Sequence, residues 1–481
     1  MPAKAIAAAL FHSRESAYVD SPQQASSLHP QFPAPSTSIP ALQTATERAN
    51  AGFTRLLHIE SMSGIVLLIA AAVALLWANS PWAQSYFDTW HAPLSLTIGA
   101  WTINTDLHFF VNDVLMTIFF LVVGMEIRRE IHNGALSSLS EASLPVIAAI
   151  GGVAMPALLY VAIAGSDKML LNGWAIPTAT DIAFAVGVLA LLGKSIPGSL
   201  RIFLLALAII DDIVAILIIA FFYSGGLDYS GFGIAFVGLM LVLLFNRMGV
   251  ASAWLYVIPG AVLWLGLLKT GAHPTLAGVV LGLMTPVAMR PAPRHHLEEA
   301  KQALSRIYVQ ARSGQFDAQL LYEELHVASR AQRDLLPPVL RLPMMLHPWV
   351  AFAVMPIFAL ANAGVQFGGV DLTATGPSTV ALGIVAGLLL GKPIGVVLAT
   401  FLAVKTGLCK MPEGVTWPGV VLVGLLAGIG FTMAIFVGGL AFTDPQLLAS
   451  AKMGILSASA AAAIAGLAYG FVIRKRLGAA A

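Results

Sequence analysis

Two adjacent aspartates interrupt a strongly apolar run, 205-LALAIIDDIVAILIIA-220. A third aspartate, Asp181, lies in the similarly apolar 178-TATDIAFAVG-187, and a lysine, Lys392, lies in 388-LLLGKPIGVVL-398. A charged side chain at the centre of a bilayer costs at least ~2.5–3.5 kcal/mol, so such residues usually have a function. These four side chains therefore indicate where the chemistry of this chain takes place.

The adjacent pair, Asp211 and Asp212, is the most informative. Neighbouring residues of a helix point about 100° apart, so both carboxyls reach one cavity only if that cavity is wide or wet. In a medium of low dielectric, two nearby carboxylates do not both stay ionised without a cation, because desolvation and mutual repulsion favour the protonated form. The pair must take up protons or a metal cation, and the two compete. Exchange of a cation for protons requires such competition.

Lys392 allows a second interpretation, a purely structural ion pair with Asp211 or Asp212 that holds two helices together. A single pair leaves the other aspartate and Asp181 unexplained. A mixed role is therefore favoured, in which Lys392 pairs with one aspartate until sodium or a proton displaces it.

The composition indicates what surrounds these charges. Of the 481 residues, 58% are hydrophobic and only 10% are charged, whereas soluble domains carry about 25% charged residues. The sequence thus predicts an all-α integral membrane protein. It shows no nucleophile–base pair or metal-ligand set that would indicate a membrane enzyme, and its single cysteine, Cys409, excludes an internal disulfide. We expect a lipid bilayer around the chain, no cofactor and no nucleic-acid partner.

Apolar stretches of about 17–25 residues, long enough to cross a bilayer, predict twelve transmembrane helices. They fall at 60–79, 108–127, 143–164, 174–192, 200–222, 231–246, 252–268, 272–289, 348–366, 378–404, 417–440 and 449–473. Lys and Arg are concentrated in every second loop, and the chain ends with 474-RKR-476. The positive-inside rule therefore places both termini in the cytoplasm.

Two segments lie outside the predicted spans. Residues 1–55 are rich in Pro, Ser, Gln and Ala, which predicts a disordered cytoplasmic tail, with a cleaved signal peptide as the less favoured alternative. Residues 290–346 combine helical apolar spacing with mixed charges, which predicts a cytoplasmic helical loop, either a plain connector or a regulatory element. The membrane part then consists of spans 1–8 over 56–289 and spans 9–12 over 347–476.

The fourth and eleventh predicted spans are interrupted. Gly173 and Pro177 precede Thr180 and Asp181 in the fourth, and the eleventh contains 424-GLLAGIGFTMAIFVGG-439. Interrupted spans in corresponding positions of two halves indicate the binding site of a transporter with inverted-topology repeats. We expect spans 3–5 and 10–12 to form such repeats and the two interrupted helices to cross. A plain helix containing Pro and Gly is the alternative.

Unwinding at both interruptions would leave half-helix ends with partial charges. Asp181 would then offset the positive N-terminal ends, and Lys392 the negative C-terminal ends. Thr180 would offer a further oxygen to an ion.

Several motifs, taken together in this order, resemble those of NhaA-type sodium/proton antiporters. They are 112-NDVLMTIFFLVVGMEIRRE-130, 178-TATDIAFAVGVLALLG-193, 208-AIIDDIVAI-216, 269-KTGAHPTLAGV-279, 347-HPWVAF-352, 358-FALANAGV-365, 391-GKPIG-395 and 428-GIGFTMAIF-436. The resemblance covers about residues 50–475. It implies an electrogenic, pH-regulated exchange of cytoplasmic sodium or lithium for external protons in a bacterial inner membrane, and it raises the option of a homodimer.

The resemblance also implies roles at matching positions. Asp211 and Asp212 resemble the cation- and proton-binding pair, and Lys392 the lysine that pairs with the first of them. Thr180 and Asp181 match the extended segment of the fourth span. Five further residues match positions associated with the ion path or the pH response: Asp113, Glu126, Arg129, Glu130 and His273.

The sequence departs from the family at 341-RLPMMLHPW-349, where Pro343 stands at a usually acidic position, which predicts weakened or shifted pH sensing. The tail and the 290–346 segment are also longer than in short family members. From the residues alone, a sodium- or proton-coupled symporter of an organic solute and a cation channel stay open. A symporter needs a larger polar cavity, and one acidic cluster with a mid-membrane lysine makes a poor continuous pore.

Overall fold

The structure is a computed structural model that describes residues 60–98, 101–134, 136–165, 167–193, 196–225, 228–250, 252–287, 293–313, 317–334, 337–369 and 374–478. Most of these residues are helical, as the composition predicts. The predicted tail over 1–55 lies outside the described residues.

The helices follow one another along the chain with short connections. They are α1 (Glu60–Ala78), α2 (Ala83–Trp90), α3 (Leu107–Asn133), α4 (Leu139–Ala164), α5 (Lys168–Thr178), α6 (Ile182–Leu191), α7 (Gly198–Phe222), α8 (Tyr229–Arg247), α9 (Ala253–Thr270), α10 (Leu276–Leu283), α11 (Pro293–Ser313), α12 (Ala318–Asp334), α13 (Pro338–Asn362), α14 (Thr375–Lys405), α15 (Trp417–Ala427), α16 (Phe431–Ala441) and α17 (Pro445–Gly478).

Within the described residues, eight helices are long and apolar enough to cross a membrane: α3, α4, α7, α8, α9, α13, α14 and α17. The number rises to 11 if each of three bent pairs, α1–α2, α5–α6 and α15–α16, counts as one span. The chain is therefore a multi-pass membrane protein. The predicted count of twelve is not reached in this way and stays a prediction.

The difference from twelve lies in the predicted eighth span, 272–289. There the structure has only α10, a helix of 8 residues, about 12 Å long against a hydrocarbon core of about 30 Å. Gly271 ends α9 in the left-handed conformation with φ of 80°, and Pro274 follows before α10 begins. The predicted span is therefore shortened at its start by the turn that contains Pro274 and at its end, where the helix stops at Leu283 before Pro286.

A β-hairpin departs from the all-α expectation. Strands β1 (Pro93–Ile98) and β2 (Trp101–Asp106) pair in antiparallel fashion, with Pro93 opposite Asp106 and Ile98 opposite Trp101. Apolar residues alternate with polar ones along much of both strands, which is the period of a β-strand. The hairpin leads directly into α3, whose first turn is capped by Asp106 through Phe109 N at 2.7 Å.

The segment over 290–346 divides differently from the predicted boundary. Helices α11 and α12 pack against each other and are joined by an ion pair between Arg306 Nε and Glu324 Oε1 at 2.7 Å. The next helix, α13, already begins at Pro338, because a proline suits the first turn of a helix, where its missing N–H is not needed. The last residues of the predicted loop thus belong to a long apolar helix.

Close helix packing holds the interior of the membrane part. Helices α4 and α14 approach so closely that a Cβ on Gly395 would lie 2.1 Å from Gly151 O. Helices α3 and α10 do the same, since a Cβ on Gly278 would lie 2.2 Å from Thr117 O. Small residues at such contacts allow backbones to approach each other in membranes. The arrangement fixes α14, which carries Lys392, against α4.

Candidate ion-binding site

The two interrupted helices meet at their interruptions. Helices α5 and α6 are bent by 44° across 179–181, and α15 and α16 by 44° across 428–430. Asp181 N donates a hydrogen bond to Ile429 O at 2.7 Å, which joins the two unwound segments directly. Irregular backbone at membrane depth is tolerated only where protein or a cavity surrounds it, and here each segment helps to satisfy the other.

Asp181 lies at the N-termini of two half-helices. Its Oδ1 accepts a hydrogen bond from Phe184 N in the first turn of α6, at 3.0 Å. Its Oδ2 accepts from Thr432 N at 3.2 Å and from Thr432 Oγ1, in the first turn of α16. A carboxylate at this place is stabilised by the positive ends of both helix dipoles.

Lys392 and Asp211 form an ion pair in the interior. Lys392 Nζ lies 2.8 Å from Asp211 Oδ2, and both side chains are 0% exposed. The ammonium also donates to Thr178 O, at the last residue of α5, where the helix dipole is negative. Thr180 Oγ1 lies 2.8 Å from Asp211 Oδ2 and 2.9 Å from Ala427 O, and its one hydrogen serves one of these acceptors at a time.

The aspartate pair is only partly satisfied. Asp211 Oδ1 is buried and has no hydrogen-bond partner among the described residues. Asp212 is 3% exposed, and its carboxyl forms neither a hydrogen bond nor an ion pair with that part of the chain. One ammonium therefore faces two buried carboxyls beside Asp181, and a buried carboxylate without a partner is costly. Bound protons or a bound cation would compensate the carboxylate charge that Lys392 leaves without a partner.

A cavity of about 420 Å³ leads to the carboxyls of Asp181 and Asp212. The other polar side chains in its wall come from α1, α3 and α13: Ser63, Glu126, Arg129, Glu130 and His347. Arg129 Nη2 and Glu130 Oε1 form an ion pair at 3.1 Å on α3. Two of the three carboxyls singled out from apolar sequence are thus reached by one cavity, which has a charged cluster elsewhere in its wall.

Asp113 and His273 lie apart from that cavity lining. His273 Nδ1 is 3.5 Å from Asp113 Oδ1, and the imidazole stacks on Phe436 with ring centroids 5.2 Å apart. Asp113 lies inside α3, in a π-helical segment, Phe110–Leu115. The structure therefore brings together two residues that lie far apart in the sequence.

Sequence reasoning missed several contributors to the site. Thr432 binds Asp181, and His347 and Ser63 line the cavity. The main-chain oxygens of Thr178 and Ala427 also take part. A signal for Thr432 was available, because it directly follows the glycine-rich interruption in 428-GIGFT-432.

Comparison with known proteins identifies the family. The family described as Na+/H+ antiporter 1 matches residues 54–469. This chain belongs to that family. It is 60% identical to the Na(+)/H(+) antiporter NhaA of Janthinobacterium sp. (strain Marseille), over 92% of this chain and 97% of the relative. It is 59% identical to the Na(+)/H(+) antiporter NhaA 2 of Pseudomonas putida, over 90% of this chain and 95% of the relative.

The resemblance to NhaA-type antiporters that the motifs indicate is thereby confirmed, and the protein is of a transporter family rather than an enzyme family. Among solved structures, the sodium proton antiporter MjNhaP1 of Methanocaldococcus jannaschii aligns with 90% of this chain at a TM-score of 0.44 and 12% identity. That likeness is too distant to bear on the site.

Proposed function

We propose that this protein exchanges sodium ions for protons, with both ions competing for Asp211 and Asp212. The observation that carries the proposal is the unsatisfied state of the pair. Asp211 Oδ1 has no partner among the described residues, and Asp212 lines a cavity that connects it with Glu126. A cation coordinated by carboxylate oxygens, or protons on them, would each complete this site, and the family supports sodium as the cation.

Lys392 is proposed to compensate the charge of Asp211 when no sodium is bound. Its ammonium holds Asp211 Oδ2 at 2.8 Å, so a cation that binds Asp211 must displace it or share the carboxylate with it. When sodium or lithium leaves, two carboxyls are available to protons. Exchange of two protons for one monovalent cation moves one net charge, which makes the cycle electrogenic.

The broken helices are proposed to belong to inverted-topology repeats. One repeat comprises α4 to α7 and the other α14 to α17, with α5–α6 and α15–α16 as the crossing interrupted spans. Asp181 would balance the N-terminal ends, and Lys392 the C-terminal end of α5. In this arrangement the chain crosses a bacterial inner membrane twelve times, with α10 as the core of the eighth crossing. Both termini and α11–α12 then lie on the cytoplasmic side.

Residues near the charged end of the cavity are proposed to act in entry and pH response. Glu126, Arg129 and Glu130 would receive sodium from the cytoplasm, and Asp113 with His273 would form a separate polar contact on the ion path. A homodimer stays an expectation from the family, and light scattering of the purified protein would test it.

Coupled uptake of a small organic solute is the second candidate, because the cavity volume of about 420 Å³ lies within the range of small-molecule sites. Proteoliposomes that hold a preset proton gradient distinguish the two. Sodium, lithium, potassium or a control solute is added while a pH-sensitive dye and a potential-sensitive dye are followed. Collapse of the gradient by sodium or lithium alone, with a change in potential, supports exchange. No response to any monovalent cation would favour the symporter.

Asp181→Ala should impair exchange less than Asp212→Asn does. Asp181 is already satisfied by three hydrogen bonds, from Phe184 N, Thr432 N and Thr432 Oγ1, so its main contribution is to the half-helix ends. Initial rates of sodium-dependent proton movement in proteoliposomes provide the comparison. Equal loss in the two variants would make Asp181 an obligatory ligand.

Pro343→Glu should shift the pH dependence of exchange. Pro343 is buried in α13, the helix that also brings His347 to the cavity, and a carboxyl there would add a charge where the family pattern has one. The pH–rate profiles of both proteins are compared from about pH 6 to pH 9, the range that shifted buried carboxyls reach. Identical profiles would exclude this position as a sensor in this protein.

A further inference from the structure

The helix that carries Lys392 is π-helical directly before it. In α14, residues Gly387–Gly391 form the π-helical segment, and Lys392 N donates to Gly387 O, five residues back. The next residue, Pro393, has no N–H, and in a regular α-helix its ring would clash with the carbonyl of Leu389, four residues back. A regular α-helix therefore cannot run undistorted through this position.

The same relation occurs in α13. Residues Val350–Val354 are π-helical, Met355 N donates to Val350 O, and Pro356 follows at once. In both α13 and α14, a π-helical segment is thus followed by one residue, Met355 or Lys392, and then by a proline. A third π-helical segment among the described residues, in α3, has no proline directly after it, so other causes also produce such segments.

Both sides of this segment of α14 are fixed by packing. Before the segment, a Cβ on Gly383 would lie 2.8 Å from the ring of Tyr160, and at the last residue of the segment a Cβ on Gly391 would lie 2.7 Å from Pro156 Cα. After the segment, Gly395 packs on α4 as described above. These close contacts oppose rotation of either half of α14 about the helix axis, so the one extra residue of the π-helical segment is accommodated between the two halves.

The position of the extra residue decides where Lys392 points. With the segment before it, Lys392 belongs to the C-terminal half of α14, and its aliphatic part passes Gly152, where a Cβ would lie 4.0 Å from Cδ and Cε. If the segment moved past Lys392, the side chain would join the N-terminal half. One residue of register in a helix turns a side chain by about 100°. The ammonium would then leave Asp211.

We propose that Pro393 is a positioning residue that holds the π-helical segment on the N-terminal side of Lys392 and so directs the ammonium to Asp211 Oδ2 and Thr178 O. The inference rests on the proposed function and deepens it, because it names the residue that sets the competition between ammonium and sodium. Pro393 also lies against α15, the first half of the interrupted pair α15–α16, since a Cβ on Gly424 would be 3.1 Å from Pro393 Cα.

A double-mutant cycle of Pro393→Ala with Lys392→Met tests this inference. Alanine restores the backbone N–H that Pro393 lacks and removes its ring, so the segment is no longer held in place. The apparent sodium dissociation constant is measured on purified protein from sodium-dependent thermal stabilisation, which needs no turnover. We expect Pro393→Ala to change it at least about threefold, in the direction of Lys392→Met, and to add less than about twofold in the Lys392→Met background.

Two outcomes would overturn the positioning role. One is an unchanged or oppositely shifted dissociation constant in Pro393→Ala, and in Pro393→Ser should the alanine variant not fold. The other is the same shift with and without Lys392, which would indicate a general structural effect. Pro356→Ala is the matched control, because it removes a proline in the same relation to a π-helical segment, and it should leave sodium binding within about twofold.

The result of the double-mutant cycle can be distinguished from the result of the exchange assay that tests the proposed function. Proteoliposomes with the unsubstituted protein report exchange itself, whatever Pro393 does. If that protein exchanges sodium for protons and the cycle shows additive effects, exchange stands and only the positioning role of Pro393 is lost.

Discussion

Asp212→Asn is expected to abolish sodium-driven proton movement while the protein still folds. The amide has nearly the shape of the carboxyl, but it neither releases a proton at neutral pH nor offers a negative charge to sodium. Asp212 is buried and lines the cavity, and its carboxyl forms no hydrogen bond or ion pair with the described residues, so little structure depends on that carboxyl. We expect the exchange rate in proteoliposomes to fall at least about 100-fold, equivalent to ~2.7 kcal/mol.

Asp228→Asn is the matched control for this experiment. Asp228 is exposed and caps α8 by accepting a hydrogen bond from Ser230 N at 2.9 Å, which an asparagine oxygen also accepts. Its exchange rate should equal that of the unsubstituted protein. Sodium-dependent proton movement that persists in Asp212→Asn would remove the carboxyl pair from the mechanism.

Lys392→Met should lower the free energy of unfolding by about 3–5 kcal/mol, because removal of one partner of a buried ion pair leaves the other charge uncompensated. The loss is expected to be large here, since Asp211 Oδ1 already has no partner among the described residues and Oδ2 would keep only the Thr180 hydroxyl. Thermal and denaturant unfolding of the protein in detergent, at low sodium, measures the change.

The charge explanation is tested by combining Lys392→Met with Asp211→Asn. Replacement of both members removes the uncompensated charge, so the double variant should recover most of the lost stability. If Lys392→Met alone unfolds within about 1 kcal/mol of the unsubstituted protein, the ion pair is not what compensates Asp211, and the coupling between Lys392 and sodium loses its basis.

The charged core could be predicted from sequence because charges are rare in apolar runs. Asp181, Asp211, Asp212 and Lys392 are conspicuous for that reason alone. Which aspartate contacts Lys392 could not be derived from the residues, since adjacent helical side chains diverge by about 100° and packing decides between them. The structure selects Asp211.

The uncharged partners of the core were not predictable in the same way. A threonine costs little in an apolar helix, so Thr432 does not attract attention, and main-chain oxygens such as Thr178 O have no sequence signal at all. The π-helical segment before Lys392 was missed as well. Pro393 indicates a disturbance of the helix, but only the structure shows how the chain accommodates it.

Hydropathy predicted the long helices well. It did not indicate that the apolar run 272–289 contains only the short helix α10, because hydropathy takes no account of the prolines, Pro274 and Pro286, on either side of that helix. The hairpin over 93–106 was missed because two six-residue strands give a weak periodic signal. The interruptions in α5–α6 and α15–α16, by contrast, follow Gly and Pro positions that are visible in the sequence.

Competition between sodium and protons is measured most directly by proton release on sodium binding. Purified protein in weakly buffered detergent solution is titrated with sodium chloride while a pH-indicator dye is read, with choline chloride as the ionic-strength control. We predict a saturable release of protons by the unsubstituted protein and none by Asp212→Asn. Sodium that stabilises the unsubstituted protein without releasing protons would contradict a shared site at Asp211 and Asp212.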